Sequence, residues 1–250
     1  AWTEVADLNQ GRSVGAGGGT QTSAIFMGGE LDPGALPART ELWNGSSWTE
    51  VADMNQANSF VVGTGTYTAA LAFGGGPGDS PGLQDRTESW NGSSWTEVGD
   101  LNTARQRMGS AGLQTSAVAF GGDTDPGPSS ALSETWNGSS WTETNNLNTA
   151  RRGLHGSGVA YTAALGFGGI SSPPSNSVAI TESWDGTNWT EVGDLNTDRA
   201  FGGGGGTTTA ALMFGGTQDP PRLANTEQWN GTSWTEVNDL NTAIYFTTGD

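Results

Sequence analysis

The ten residues ELWNGSSWTE, at positions 41–50, decide the fold. A two-residue turn at Gly45-Ser46 would place Trp43 opposite Trp48, whereas a turn at Asn44-Gly45 would pair Trp43 with Ser46. The stretch has five versions in the chain, and its two turn positions are Gly-Ser in three of them and Gly-Thr in two. Because such a pair suits a type II′ turn, the sequence predicts a β-hairpin in which the two tryptophans face each other.

This hairpin belongs to a longer tandem repeat. The tripeptide Trp-Thr-Glu recurs at spacings of 46, 47, 46, 48 and 45 residues, beginning at Trp2, Trp48, Trp95, Trp141, Trp189 and Trp234. Each unit also contains an apolar run that closes on two glycines, such as Ala72-Phe73-Gly74-Gly75. These runs are too short for helices and are bounded by glycine, which is typical of strands.

Four short strands per unit predict an all-β fold, a five-bladed β-propeller of four-stranded antiparallel blades. The units begin near Trp2, Trp48, Trp95, Trp141 and Trp189, with a partial sixth unit from Trp234, in one domain over residues 1–250. A solenoid is the competing architecture. The small residues of the first strand of each unit suit the crowded centre of a propeller.

The number of copies also favours a propeller. Six Trp-Thr-Glu strands accompany five copies of every other element, so a terminal strand can complete the blade begun at the other end. Of the two ends, we expect Trp2 to Leu8 to close the fifth blade. The segment from Trp234 to Asp250 would then be spare, and a spare edge strand invites self-association.

Composition removes several classes of function. The chain has nine Arg, no Lys and 26 Asp and Glu, a formal charge of −17, which argues against nucleic-acid binding and electrostatic membrane attachment. It has no Cys and a single His, so disulfide frameworks, Cys nucleophiles and ordinary zinc or copper sites are excluded. No apolar run approaches the roughly 18 residues that cross a bilayer. We therefore expect no cofactor, no metal and no membrane insertion.

The order of motifs resembles the kelch repeat. Phe-Gly-Gly is followed by Thr-Glu-x-Trp and then by Trp-Thr-Glu-Val-x-x-Leu-Asn-Thr-Ala-Arg, and the resemblance covers nearly the whole chain. It departs from the kelch pattern in a shorter hairpin and in Trp43 and its counterparts, where kelch repeats usually have Tyr. The near-identical units also resemble tandem kelch-like arrays of phage and bacterial surface proteins, which implies an extracellular or virion location.

Glutamates form a ladder on the predicted hairpins, with Glu41 opposite Glu50 and four further pairs like it. They could form a fivefold set of cation sites, or they could be solvated outer-strand charges with partial Arg or hydroxyl partners. A residue repeated in every unit belongs first to the scaffold, so we favour the second interpretation.

The connection between the second and third strands varies most in length and sequence, and we expect it to emerge on the same face as the link between successive units. Variable loops on a rigid scaffold commonly form binding surfaces. The predicted contacts on these loops are Asp32, Asp79, Asp123, Asp125 and Asp219.

The links between units would surround the mouth of a central channel. Their candidate ligand-binding residues are Arg12, Phe60, Arg105, Arg107, Arg151, Arg152, His155, Arg199 and Phe201. These arginines could bind a carboxylate- or sulfate-bearing glycan, with Phe60 and Phe201 as stacking surfaces. Alternatively, each Arg bonds carbonyls or a Glu of the adjacent blade, the reading that we favour. His155 is expected to be an incidental channel residue.

These observations predict a non-enzymatic recognition or structural module on a virion fibre or cell surface, with a glycan or protein partner on its variable-loop face. The first alternative is an intracellular kelch-type adaptor for protein interactions. A propeller lyase or glycosidase is the second, but it would need His, Tyr, Arg and carboxylates clustered at the channel mouth. The copper chemistry of galactose-oxidase-type kelch proteins does not transfer, because this chain has one His, no Cys and three Tyr.

Overall fold

The computed structural model describes residues 1–32, 34–76, 82–124, 128–172, 176–218 and 220–245. The predicted loop residues Asp79, Asp125 and Asp219 lie outside these ranges. Within them the fold is all-β, as predicted, and no helix is long and apolar enough to span a membrane.

In chain order the strands are β1 (Ala16–Thr20), β2 (Ser23–Met27), β3 (Thr40–Trp43), β4 (Trp48–Glu50), β5 (Val62–Thr66), β6 (Ala69–Phe73), β7 (Thr87–Trp90), β8 (Trp95–Glu97), β9 (Gly109–Leu113), β10 (Ser116–Phe120), β11 (Ser133–Trp136), β12 (Trp141–Thr144), β13 (Arg151–Arg152), β14 (His155–Ala160), β15 (Ala163–Phe167), β16 (Ile170–Ser171), β17 (Asn176–Ser177), β18 (Thr181–Trp184), β19 (Trp189–Glu191), β20 (Gly203–Gly206), β21 (Ala211–Phe214), β22 (Thr226–Trp229) and β23 (Trp234–Val237).

Most of these strands belong to antiparallel four-stranded sheets that follow the chain without crossovers. Sheets 1 to 5 have the orders β1-β2-β3-β4, β5-β6-β7-β8, β9-β10-β11-β12, β14-β15-β18-β19 and β20-β21-β22-β23. A small sheet, β13-β16-β17, joins two connections of the fourth unit. The first strand of each large sheet is called its inner strand here, and the last its outer strand.

The hairpin register agrees with the sequence. Trp43 pairs with Trp48 and Glu41 with Glu50, and the same register recurs in the other four large sheets. Gly45 has a φ of +96°, which glycine tolerates at the first central position of a type II′ turn. The Asn44 side chain accepts N–H bonds from Ser46 and Ser47, so local turn chemistry fixes this element.

The expected completion of the fifth sheet by Trp2 to Leu8 was wrong. Its outer strand is β23, which pairs with β22 over four residues. Residues 1–8 belong to no strand. The fifth unit follows the local hairpin rule of the other four, because Asn230 again organises a tight turn between adjacent segments.

Successive sheets pack through their inner strands. Contacts run from β1 to β5, from β5 to β9, from β9 to β14 and from β14 to β20. The approach is close: a Cβ on Gly156 would lie 2.2 Å from the Ser110 carbonyl oxygen of the preceding inner strand. The small residues of these strands are therefore required by packing between sheets.

Buried tryptophans join the sheets on the outer side. In each of four junctions, the first Trp of an outer strand donates its indole N–H to a hydroxyl on the third strand of the preceding sheet, 2.9–3.0 Å away. The donor and acceptor pairs are Trp95 and Thr40, Trp141 and Thr87, Trp189 and Ser133, and Trp234 and Thr181. In three junctions the indole also packs against a phenylalanine of that preceding sheet, as Trp141 does on Phe73 at 4.8 Å. Such aromatic pairs contribute about 0.5–1.5 kcal/mol beyond area burial.

Two glycine substitutions test the packing of inner strands. Gly156→Ala should destabilise the protein by about 2 kcal/mol or more, because the added methyl overlaps a backbone carbonyl of the preceding sheet. Gly205→Ala is the matched control, because its Cβ would have no atom within 4 Å, and neither glycine has a positive φ. Urea unfolding of both variants measures the difference. Equal stability of the two variants would contradict the close approach of β9 and β14.

Candidate ligand-binding face

Variable loops and interunit links lie side by side. In four units a residue of the link pairs with the first residue after the two glycines, in the bridges Ser13 to Glu30, Ser59 to Gly76, Gln106 to Asp123 and Ala200 to Thr217. In the fourth unit, Arg152 pairs with Ile170 in the small sheet. The two variable segments therefore share one face, as the sequence predicts. Asp32 lies there in an exposed turn.

One shallow depression of about 110 Å³ is lined by equivalent residues from all five units. Five of these residues lie six positions after the repeated Leu or Met, and we call them the collar: Val14, Phe60, Arg107, Gly153 and Phe201. All five have left-handed φ values between 50° and 60°, which is unusual for the four that are not glycine. The sequence predicted two of the five as stacking residues and Arg107 as a cation, but missed Val14 and Gly153. Their shared offset from Leu8 and Leu147 could have identified them.

Backbone hydrogen bonds join neighbouring members of the collar. The N–H groups of Phe60, Gly153 and Phe201 donate to the carbonyls of Val14, Arg107 and Gly153, at 2.8–2.9 Å. These bonds run from one unit to the next, so the neighbours hold the backbone of each position in its unusual conformation. The cost of such a conformation is about 1–3 kcal/mol per residue, and it often marks a functional surface.

Side chains of the collar lie against their neighbours. The Arg107 guanidinium stands 4.2 Å from the centre of the Phe60 ring. Phe201 covers Gly153, where a Cβ would lie 2.5 Å from its ring. The predicted stacking surfaces are therefore partly occupied, since Phe60 is buried and faces Arg107. The exposed chemistry at this point is a guanidinium supported by an aromatic ring.

Two arginines and an aspartate form a charged cluster beside the collar. Arg107 and Arg152 pair with opposite oxygens of Asp123, at 3.2 and 3.5 Å. The arginine side chains are 22% and 27% exposed, whereas that of Asp123 is 9% exposed. Burial raises the pKa of Asp123, although both arginines act to lower it. With all three groups ionised, the cluster has one excess positive charge at the surface of an acidic protein.

The other four predicted arginines are not part of this surface. Arg12, Arg105, Arg151 and Arg199 have fully buried side chains, each paired with a buried glutamate at 2.7–2.9 Å. Burial lowers the pKa of each, and the glutamate opposes that shift. The alternative in which each Arg bonds carbonyls or a Glu is thus confirmed for these four, but the Glu belongs to the sheet that follows in the same unit and not to an adjacent one. A ligand cannot reach these buried side chains.

Burial of these glutamates corrects the expectation of solvated ladder charges. Glu41, Glu88, Glu134, Glu182 and Glu227 are buried on the third strands, and only their partners on the outer strands are exposed. In sheet 3, one Glu134 oxygen accepts from Arg105, and the other accepts from both the backbone and the amide of Asn102, at 2.8 Å each. Arg105 also donates to the carbonyls of Gly121 and Leu132. We call this arrangement the clasp; it explains why an Asn after the repeated Leu or Met, an Arg three residues later in four units, and a Glu on the third strand recur.

The second unit has a clasp without arginine. Asn58 replaces Arg and donates to the Gly74 carbonyl, while Asn55 still holds Glu88 through its backbone and its amide. A cavity of about 10 Å³ lies beside Glu88, lined in part by Asn58. The asparagine of the clasp therefore holds its glutamate through backbone and amide without an arginine.

His155 lies on an inner strand, with Phe167 at 5.8 Å between ring centres and the Gly204 backbone of the next sheet within hydrogen-bonding range. Burial lowers its pKa to about 4. The imidazole is consequently neutral near pH 7, and it packs between two sheets.

Within the described ranges, no group of three or more His, Cys, Asp or Glu side chains could hold a metal ion. No protein-family model and no curated protein matches this chain. The face is therefore characterised by its own geometry: a collar, a positive cluster and variable loops.

Reciprocal substitutions test the clasp. Arg105→Asn should destabilise the protein by about 3–5 kcal/mol, because it leaves the buried Glu134 without its cation. Asn58→Arg should stabilise it by about 1 kcal/mol by filling the cavity and pairing with Glu88. Thermal and urea unfolding measure both changes. An Asn58→Arg variant that is less stable than the parent would show that the second unit cannot accept the arginine geometry.

The pH dependence of stability tests the environment of His155. The imidazole has a pKa of 6.5 in the unfolded chain and about 4 in the folded protein. Burial of the neutral ring therefore leaves the free energy of unfolding unchanged above pH 6.5 and lowers it as the pH falls from 6.5 toward 4. The loss should reach about 3 kcal/mol relative to His155→Gln. Urea unfolding of both proteins between pH 7 and pH 4 measures it. Parallel pH profiles would contradict the lowered pKa.

Proposed function

We propose that the five four-stranded sheets are blades of a kelch-type β-propeller, and that the protein is a non-enzymatic recognition module whose collar face binds an acidic saccharide. The observation that carries the proposal is the depression lined by equivalent residues of all five units. Such convergence is expected when repeated sheets surround a common axis. The sequential contacts of the inner strands support the same arrangement.

Charge supports an acidic ligand at this face. The exposed glutamates of the outer strands, such as Glu97 and Glu143, place negative charge along the outer edge of the sheets. Arg107 and Arg152 are partly exposed at the collar, and Arg222 is exposed in the adjoining connection of the fifth unit. An anionic ligand would be repelled by most of the surface and attracted here.

Carboxylate or sulfate groups fit the exposed arginines. A guanidinium donates two parallel N–H bonds to such a group, and its support on the Phe60 ring limits the side-chain entropy that binding would cost. The variable loops around the collar would contact the rest of the saccharide and set its specificity. Exposure on a virion fibre or cell surface agrees with recognition of this kind, and it rests on the resemblance to tandem kelch-like arrays.

A non-enzymatic role is supported by the partners of the buried titratable groups that the structure describes. The third-strand glutamates are held in clasps, and the imidazole of His155 packs between sheets. A lyase or glycosidase requires a pair of groups whose pKa values suit proton transfer at one substrate. Asp123 is shared by two arginines, which favours a structural role for its carboxylate.

Binding to an array of acidic and neutral saccharides tests the function. We expect binding to carboxylated or sulfated members, and a loss of about tenfold or more in affinity for Arg107→Ala and Arg152→Ala. Arg39→Ala is the matched control, because Arg39 is equally cationic but pairs with Glu50 on an outer hairpin. Its affinity should change less than about twofold.

Two results would refute this function. One is no binding to any acidic saccharide by the folded protein, and the other is equal losses in all three variants. Retained binding of a protein partner on the same face would then favour an interaction adaptor.

A further inference from the structure

The N-terminal segment has the contacts of an outer strand. Trp2 donates its indole N–H to the Thr226 hydroxyl at 3.2 Å, and its ring lies 5.0 Å from that of Phe214. Trp234 makes the same contacts one sheet earlier, with Thr181 and Phe167. Trp2 is therefore placed on sheet 5 as though it belonged to the outer strand of a following sheet.

The other end of this segment joins sheet 1 by a complete clasp. Asn9 and Arg12 bond Glu41 at 2.7–2.8 Å. In the middle of the chain, a segment with these contacts passes over one whole sheet: Trp95 bonds sheet 1 and Arg105 bonds sheet 3, with sheet 2 between them. By the same geometry, residues 2–12 bridge from sheet 5 to sheet 1 across a gap that one further sheet would fill.

Inner strands show that this place is open. At one equivalent position, Thr64 donates to a carbonyl of the next inner strand and Ser157 to that of Thr207, directly after the next inner strand, and a Cβ on Gly18 would lie 3.0 Å from the Gly65 oxygen. A Cβ on Gly205, at the same position in sheet 5, would have no atom within 4 Å.

The valine after Trp-Thr-Glu shows the same opening. Val51, Val98 and Val192 are partly buried and Val237 is 37% exposed, and all four pair with the third strand of their own sheet. Val5 occupies this position in the N-terminal segment and is 65% exposed. The N-terminal segment thus lies where an outer strand would lie, but without the three strands that complete a sheet elsewhere in the chain.

We infer that the ring has six places, and that the sixth is a docking site for three antiparallel strands with the pattern of this repeat, completed by residues 2–5 as the fourth strand. The occupant needs an inner strand of small residues, an apolar second strand ending in Phe-Gly-Gly, and a third strand Thr-Glu-x-Trp. Its glutamate would accept hydrogen bonds from Asn241, which is exposed and equivalent to Asn102. Its tryptophan would face Trp2, as Trp43 faces Trp48.

A second folded copy of the described residues does not meet this need, because its three-strand sets are all paired within their own sheets. The backbone at Ile244 matches the start of such a unit, since Gly216 donates to its carbonyl at 2.8 Å, as Gly75 does to that of Arg105. Ile244 has no cation for the incoming glutamate, but the second unit shows that a clasp forms with Asn58 in that place. This inference concerns the edges of the ring and is independent of what the collar binds.

The test replaces everything after Ile244 with a copy of residues 106–140, so that the third unit supplies the three strands. We expect the unfolding midpoint to rise by about 5 °C or more. The backbone amides of residues 2–5 should exchange with solvent at least about 100-fold more slowly than in the parent chain. The control is the same extension with its copies of Glu134 and Trp136 changed to Ala, which should give much less protection.

A second format guards against misfolding of the extended chain. A synthetic peptide of residues 106–140 is added to the unmodified protein, and exchange of residues 2–5 is measured again, with the Ala-substituted peptide as control. Protection in either format that depends on the Glu and Trp copies supports a sixth place. Unchanged exchange in both formats, or protection equal to that of the controls, overturns it. Hydrogen exchange of residues 2–5 does not depend on saccharide binding, so a negative result in one experiment leaves the other proposal standing.

Discussion

A carboxylate buried in the third strand of each large sheet is the interaction on which the rest depends. Isolated in the interior, such a charge would be strongly unfavourable, and it is accepted because an asparagine from the preceding link bonds it, joined in four of the five sheets by an arginine. The clasp fixes where each link enters the next unit. That position in turn brings the inner strands to van der Waals distance and sets the left-handed residues around the depression.

The sequence was sufficient for elements whose physics is local. The hairpin at residues 41–50 was predicted with its register, because Gly45 and the Asn44 side chain determine the turn within four residues. It was insufficient for burial. Glu41 and Glu50 face each other across one hairpin, yet only the first is covered, by a link that begins more than thirty residues earlier. Arg and Glu recurred at a nearly constant separation, and that spacing was the overlooked signal.

The candidate site was predictable in outline for the same reason. Repetition showed which segments vary, and pairing of the link with the loop places them on one face. The role of each arginine could not be predicted from composition, because Arg105 and Arg107 are only two residues apart, yet the first side chain is buried and the second is partly exposed. The period of two in an extended chain would place both on the same side, and the left-handed backbone at Arg107, with a φ of +56°, interrupts that period.

The left-handed positions have a consequence for how this surface can change. Their backbone is held by bonds to neighbouring units, so valine, phenylalanine, arginine and glycine all occupy it with nearly the same φ. The side chain at these positions can therefore change while the backbone of the fold stays the same. Lineages could therefore diversify this patch by single codon changes, much as an antibody framework tolerates new loops, while the scaffold stays constant.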